Sequence, residues 1–324
     1  MPYKPCSINE MGLKYILLMK SWGKYIMELF QLPKAFLQMN TIFISILIEA
    51  LPFVLIGVFI SGFIQMFVTE DMVAKWMPKN RFLSVLLATF LGMLFPGCEC
   101  GIVPIVRRLI GKGVPPYAGI AFMLTGPIIN PVVLFATYVA FGSSMHMVWY
   151  RSIVAIIVAI IVGIILSFMF KEHQLRDDHF PEVNNKRPLR KKMWDVCTHA
   201  VEEFFSMGKY LVLGALIAAA VQTFVQTSTL LAIGQGPFSS SAVMMGLAYI
   251  LSLCSEADAF IASSFQSTFS TASLVAFLVY GPMVDIKNMF MMLATFKTKF
   301  VIVVIVTVTL VVYASSLLIY AMGW

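Results

Sequence analysis

Long apolar runs constrain this sequence more than any other feature. Four of them cover Thr41–Val68, Pro115–Phe141, Val148–Phe170 and Phe300–Met322. Each run reaches the roughly 20 residues that a helix needs to cross about 30 Å of hydrocarbon. Hydrophobic residues make up 60% of the 324 residues, more than a soluble domain of this length could bury. The sequence therefore predicts an all-α polytopic membrane protein of about eight transmembrane helices in two repeat-related halves, with discontinuous helices at the centre.

The apolar runs and one hydrophilic stretch divide the chain into four regions. They are an amphipathic N-terminal helix at the cytoplasmic membrane surface (1–40), a first transmembrane repeat (41–170), a basic cytoplasmic linker (171–199) and a second transmembrane repeat (200–324). Basic residues of the N-terminal region, the linker and Arg107–Lys112 fall on one side of this topology, which the positive-inside rule makes cytoplasmic. The net charge of +7 follows from this bias. It indicates the lipid bilayer as a partner and not nucleic acid.

The two halves carry matching residues at a near-constant distance. Gly57 and Gln65 align with Gly214 and Gln222 at an offset of 157, and Cys98 aligns with Cys254 at an offset of 156. The segments Thr125–Asn130 and Tyr280–Asp285 align at an offset of 155. Such an offset predicts an internal repeat, which is the usual construction of transporters. Parallel and inverted repeats both remain open.

Both halves also place helix-breaking residues inside apolar segments. "FPGCECGIVP" (Phe95–Pro104) corresponds to "LSLCSEADAF" (Leu251–Phe260), and "TGPIINP" (Thr125–Pro131) corresponds to "YGPMVD" (Tyr280–Asp285). Proline removes a backbone donor, and freed backbone groups are tolerated in hydrocarbon only beside protein or water. We therefore predict broken helices around a central cavity. The predicted interruptions are Gly97, Gly101, Pro104, Gly126, Pro127, Gly281 and Pro282.

The sulfur and polar side chains at these interruptions are the candidates for substrate binding. They are Cys98, Glu99, Cys100, Asn130, Cys254, Glu256, Asp258 and Asp285. Intramembrane acids indicate a functional site, and thiolates favour Zn²⁺, Cu⁺ and thiophilic metalloids, so the three cysteines are also candidate metal ligands. Two alternatives stay open: the acids pair with Lys209 or an arginine to hold helices together, or the cysteines are simply buried small residues. Glu49 and Lys209 lie near helix starts, where either side chain could reach the interface.

The chain lacks the motifs that would predict an enzyme. It contains no G-x-x-x-x-G-K-[ST] loop, no G-x-G-x-x-G fingerprint and no H-E-x-x-H pair. We therefore predict no cofactor and no ATP hydrolysis, so a gradient or a partner would drive transport. Two other classes compete with a permease. One is an intramembrane thiol oxidoreductase using Cys98 and Cys100, and the other is a membrane subunit of a two-component permease complex.

The stretch "GCECGIVPIVRRLIGKGVPPYAGIAFMLTGPIINPVV" (Gly97–Val133) resembles the predicted-permease family that includes the organoarsenical permease ArsP. The similarity is closest to the branch represented by the Bacillus protein YcgR. The resemblance implies an eight-helix permease of the bacterial plasma membrane, and for ArsP-like members export of trivalent organoarsenicals with cysteine ligands. On the YcgR-like branch it implies a second membrane subunit and a metal-linked role. Glu99, between the two thiols, favours a cation. We therefore predict a secondary transporter for a metal ion, a metalloid or another thiophilic small solute.

Overall fold

The computed structural model describes residues 8–95, 97–170, 174–176, 189–225 and 236–322. Within these residues the chain is helical, and one isolated β-bridge joins Leu175 to Phe296. Five helical stretches are long and apolar enough to cross a membrane, and shorter apolar helices accompany them. The predicted class, an all-α polytopic membrane protein, is confirmed.

The first half of the chain contains the helices α1 to α7. They are α1 (Ile8–Phe67), α2 (Glu70–Trp76), α3 (Arg81–Leu94), α4 (Glu99–Gly111), α5 (Pro116–Thr125), α6 (Pro131–Ala140) and α7 (Met145–Met169). The Thr69 and Asn80 side chains accept backbone N–H groups at the starts of α2 and α3, as capping residues do. Helix α1 continues without a break across residue 40, where the N-terminal region was predicted to end. The position of that region at the membrane surface stays a prediction.

The second half contains the helices α8 to α13. They are α8 (Leu189–Phe224), α9 (Pro237–Leu251), α10 (Ser255–Ser264), α11 (Thr271–Met283), α12 (Ile286–Thr295) and α13 (Thr298–Ala321). Helix α8 begins inside the predicted 171–199 linker, while residues 171–173 and 177–188 of that linker lie outside the described residues. The division of the chain into the four predicted regions stays a prediction.

The two halves have the same order of elements apart from the short α2. A long helix comes first, followed by two interrupted segments and a second long helix. The interrupted segments are α3–α4 and α5–α6 in the first half and α9–α10 and α11–α12 in the second. In the described residues, the two parts of each segment do not pack side by side as a hairpin would. This common order supports the internal repeat, which remains a prediction.

Two residues predicted to interrupt the α3–α4 segment lie inside α4 instead. The gap holds Gly97 and ends at Cys98, whereas Gly101 and Pro104 are helical and buried. Gly101 provides a close approach between helices, because a Cβ atom there would lie 2.7 Å from the Phe53 carbonyl oxygen of α1. Pro104 removes the N–H that would bond the Cys100 carbonyl, but the helix continues past it.

The predicted Gly-Pro interruptions behave differently in the two halves. Gly126 and Pro127 lie between α5 and α6, where the chain leaves the helix. Gly281 and Pro282 are helical and belong to the end of α11, and the gap falls after them, at Val284 and Asp285. Pro282 is the last residue but one of α11, so it removes only the donor to the Leu278 carbonyl and the helix continues to Met283. Every residue from Ala272 to Met283 is also buried.

The buried α11 lies at the centre of the bundle, and the long helices present large apolar side chains outward. Phe36, Ile48 and Phe63 on α1 and Phe168 on α7 are exposed. An outer surface of this kind requires lipid as its solvent. The chain is therefore a multi-pass plasma-membrane protein.

Candidate functional site

The buried ammonium group of Lys287 lies where three of the four interrupted segments meet. Its Nζ atom is 3.0 Å from Glu99 Oε1 on α4 and 3.0 Å from Asp285 Oδ2 before α12. It also donates to the carbonyl oxygens of Ser252, at 2.8 Å, and Leu253, at 2.9 Å, in the α9–α10 gap. Lys287 is 4% exposed and Glu99 1%. One cation therefore joins two carboxylates and two carbonyls away from solvent.

Local backbone geometry explains why these oxygens converge. Ser252 has a left-handed backbone with φ of 45°, which is unfavourable for a residue other than glycine and turns the chain sharply after α9. Its hydroxyl accepts the Ile286 N–H at 3.1 Å, which holds the α9–α10 gap against the α11–α12 gap. Asp285 caps α12 by accepting the Asn288 N–H at 2.6 Å, so its other oxygen is held towards Lys287.

The three candidate thiols line one small crevice beside Lys287. Its walls are Ile46, Glu49, Ala50, Phe53, Cys98, Glu99, Cys100, Cys254 and Lys287, and its volume is about 10 Å³. A space of this size holds about one water molecule. Exposure decreases along the crevice: Glu49 is exposed, Cys98 and Cys254 are half-buried, and Cys100 is buried. The crevice therefore leads from the outside of α1 to the charged group around Lys287.

Each interruption ends in a residue that the sequence placed in the site. Cys98 precedes α4, Asn130 precedes α6, Cys254 precedes α10 and Asp285 precedes α12. Cys98 and Cys100 both line the crevice, although Cys98 lies before α4 and Cys100 inside it. The Cys254 sulfur accepts the Ala257 N–H at 3.4 Å. Helix starts favour negative charge, so these positions suit thiolates and carboxylates.

Not all of the candidate residues come together. Asn130 accepts the N–H of Val132 at 3.0 Å and does not line the thiol crevice. Glu256 and Asp258 both lie in the first turn of α10, where Glu256 is half-buried and Asp258 is buried, and neither lines the crevice. Among the described residues, no three His, Cys, Asp or Glu side chains form a group placed to hold a metal ion. The metal-ligand roles of Cys98, Cys100 and Cys254 thus stay a prediction.

Sequence reasoning missed two buried bases. Lys287 was overlooked although it stands two residues after Asp285 in an apolar segment, and Arg151 was overlooked inside the apolar α7. An intramembrane charge indicates a functional site by default, so both carried the necessary signal. The structural alternative was a pairing of the acids with Lys209 or an arginine. Lys209 is exposed and lies over the Tyr210 ring, and the base that pairs with Glu99 is Lys287. Glu49, near the middle of α1, lines the crevice.

A second buried polar group joins α1, α4 and α8. Arg108 Nη2 is 3.1 Å from Glu203 Oε2, and Ser61 Oγ donates to the same oxygen at 2.8 Å. Arg107 Nη1 lies 3.6 Å from Glu203 Oε1. These arginines were predicted to mark the cytoplasmic face, and they also connect the two halves of the chain.

Comparison with known proteins places the chain among membrane transport proteins. Residues 35–321 match the model of a family described as "Predicted permease". The chain is 61% identical to UPF0718 protein YcgR of Bacillus subtilis over 287 aligned residues. The aligned region covers 88% of this chain and 98% of that protein. It is 48% identical over 295 residues to a Streptococcus mutans protein named "Putative two-component membrane permease complex subunit", covering 90% and 98%. No solved structure matches the chain.

Proposed function

Because the chain belongs to the predicted-permease family, we propose that it is a secondary transporter for a metal ion, a metalloid or another thiophilic small solute. The observation that carries this proposal is the crevice in which Cys98, Cys100 and Cys254 meet Glu99 and Lys287. Two of these thiols come from one half of the chain and the third comes from the other half. A solute bound between the halves is the arrangement that alternating access requires.

The chemistry of the crevice suits a soft or borderline cation. Thiolates bind Zn²⁺, Cu⁺ and trivalent arsenic, and carboxylate oxygens add hard donors. Glu99 uses Oε1 for Lys287, while its buried Oε2 has no hydrogen-bond partner among the described residues. The Cys100 carbonyl lacks its helical donor because of Pro104, so it is a further oxygen near the thiols.

The small volume of the crevice limits how a solute can enter. A space of about 10 Å³ accepts one water but not a hydrated ion. A cation must therefore exchange its water for sulfur and oxygen ligands, and the thiols must lose their protons on binding. We expect the bound solute to be held by the protein in nearly dehydrated form.

The test is accumulation of zinc and of trivalent methylarsenite in cells with and without the chain. Replacing both Cys98 and Cys100 with serine should abolish the difference in accumulation while protein levels stay normal. Cys197→Ser is the matched control, because Cys197 is an exposed thiol on α8 far along the chain from the crevice. Wild-type transport by the double serine variant would remove the thiols from the mechanism.

The position of Cys98 and Cys100 in the wall of one crevice also suits the alternative function, a thiol oxidoreductase. An oxidoreductase would cycle this pair between dithiol and disulfide, with an electron donor or acceptor as partner. Trapping of free thiols during turnover separates the two functions. A permease keeps both cysteines reduced throughout, whereas accumulation of a Cys98–Cys100 disulfide would favour the enzyme.

We further propose that the chain works with a second membrane subunit. The support is the name of the Streptococcus mutans relative, which describes a subunit of a two-component membrane permease complex. Affinity purification of the chain from its own membranes in mild detergent tests this. We expect a second membrane protein to copurify in a fixed ratio to the chain. Zinc transport into liposomes by the purified chain without a second protein would contradict this proposal.

A further inference from the structure

The Asp258 carboxyl group is buried without the partners that a buried carboxylate needs. It is 1% exposed, and neither of its oxygens has a hydrogen-bond partner among the described residues. It lies against Gly281 of α11, where an added Cβ atom would be 2.8 Å from Asp258 Oδ2. An ionised carboxylate left in this condition is strongly unfavourable.

The nearest base does not neutralise Asp258 by direct contact. Arg151 on α7 is fully buried, and its terminal nitrogens donate to Thr137 Oγ1 at 2.7 Å and to the Ser255 carbonyl at 3.1 Å. Its Nε atom has no hydrogen-bond partner among the described residues. Arg151 thus holds α6 to α10 with two of its nitrogens and keeps one buried donor unused.

The charges around Asp258 do not balance if every group is ionised. The charged side chains that act on it are Arg151, Lys287, Glu99 and Asp285, and Lys287 is already bonded to both of those acids. Three buried acids therefore face two buried bases. Glu256, half-buried on the same helix and also acting on Arg151, adds a further negative charge. One proton would remove the excess negative charge of the three fully buried acids.

We infer that Asp258 is a proton-binding site, separate from the thiol crevice, whose proton is exchanged during transport. In the resting structure the carboxyl group is neutral, which explains why it tolerates burial without partners. On release, the O–H bond breaks, water takes the proton, and the carboxylate is left to the unused Nε–H of Arg151. The inference that Asp258 binds a proton stands on its burial and on the lack of a hydrogen-bond partner for either oxygen among the described residues. The inference that this proton is exchanged in transport rests on the proposed function.

Proton binding is tested by comparing two buried aspartates, Asp258, whose oxygens have no hydrogen-bond partner among the described residues, and Asp285, which is paired with Lys287. Asp258→Asn replaces a neutral acid by a neutral group of the same shape, so the melting temperature of the detergent-purified chain at pH 7 should stay within about 2 °C of wild type. Asp285→Asn removes an ionised partner of Lys287 and should lower it clearly. Equal losses in the two variants would overturn the inference.

Infrared spectroscopy gives a readout that a packing role would not change. A protonated carboxylic acid has a carbonyl band that a carboxylate lacks, so wild-type protein at pH 7 should show a band that is missing in Asp258→Asn. Glu256→Gln is the control and should retain the band. A band that does not depend on Asp258 would refute proton binding at this site.

Coupling is tested in liposomes that contain the full chain together with any membrane protein that copurifies with it, and Zn²⁺ is the probe. A dye inside the liposomes reports zinc entry with and without a pH gradient, and the ratio of the two rates measures coupling. We expect the ratio to exceed one for wild type and to fall to one for Asp258→Asn. A ratio that is unchanged in the variant overturns the coupling role. If wild type moves no zinc, the coupling claim falls with the proposed function for zinc, whereas the infrared result still decides proton binding.

Discussion

Replacing Lys287 with methionine should destabilise the protein strongly. Methionine has a similar volume and no charge, so the change removes the cation that Glu99 and Asp285 share at 3.0 Å. Both acids are buried, with exposures of 1% and 0%, and they would be left next to each other without a counter-charge. Breaking a buried ion pair from one side costs roughly 3–5 kcal/mol. The Ser252 and Leu253 carbonyls also lose a donor.

Thermal unfolding of the purified chain, followed by tryptophan fluorescence at pH 7, measures this effect. Domains of 150–250 residues shift by roughly 2–4 °C per kcal/mol, so the melting temperature should fall on the order of 10 °C. Lys209→Met is the matched control, because Lys209 is an exposed lysine on the same membrane protein. That variant should melt within about 2 °C of wild type, as surface substitutions usually do.

A compensating variant separates charge from packing. Lys287→Met combined with Glu99→Gln and Asp285→Asn removes all three charges, and the new amide groups can donate to the carbonyls that Lys287 leaves. Most of the lost stability should return, because neutral replacement of a buried ion cluster is often tolerated. If the single variant melts like its control, or the triple variant is no better than the single one, the ion cluster does not hold the interruptions together.

Two further predictions concern glycines that make room for other groups. Gly101→Leu should separate α1 from α4 and lower the melting temperature strongly, because its Cβ would lie 2.7 Å from the Phe53 carbonyl. Gly246→Leu is the control and should have a small effect, because an added Cβ there meets nothing within 4 Å. Equal falls in melting temperature would contradict the packing argument. Gly281→Ala should displace the Asp258 carboxyl group, because the added Cβ atom would be 2.8 Å from Oδ2. The displacement should shift the infrared band of the carboxylic acid, and an unaltered band would contradict the contact.

The sequence indicates the class and the interruptions because their signals are local. Apolar length predicts membrane helices, and Gly, Pro and polar residues inside such lengths predict breaks. Cys98, Asn130, Cys254 and Asp285 each come directly before a helix that starts inside the bundle. These predictions needed no knowledge of which helix packs on which.

The rest depends on tertiary contacts that no local pattern shows. Gly101 was read as a break, but its role is decided by Phe53 on another helix. The role of Lys287 depends on its ion pair with Glu99, which lies in the other half of the chain. Its position in the first turn of α12 opposes the helix dipole, so helix preferences do not predict it, although a lysine inside an apolar segment is itself a local signal of function.

Lys287 is the group through which the proposed cation site in the thiol crevice and the proposed proton site at Asp258 would be coupled. It lines the crevice and bonds Glu99 there, and its charge acts on Asp258. Two sites are coupled when both bias one element with alternative arrangements. A cation held by the thiols and Glu99 would weaken the Glu99–Lys287 pair, and the released ammonium would stabilise an ionised Asp258. Cation binding and proton binding would then oppose each other. That relation makes exchange of a cation for a proton the mode of transport that this charge arrangement favours.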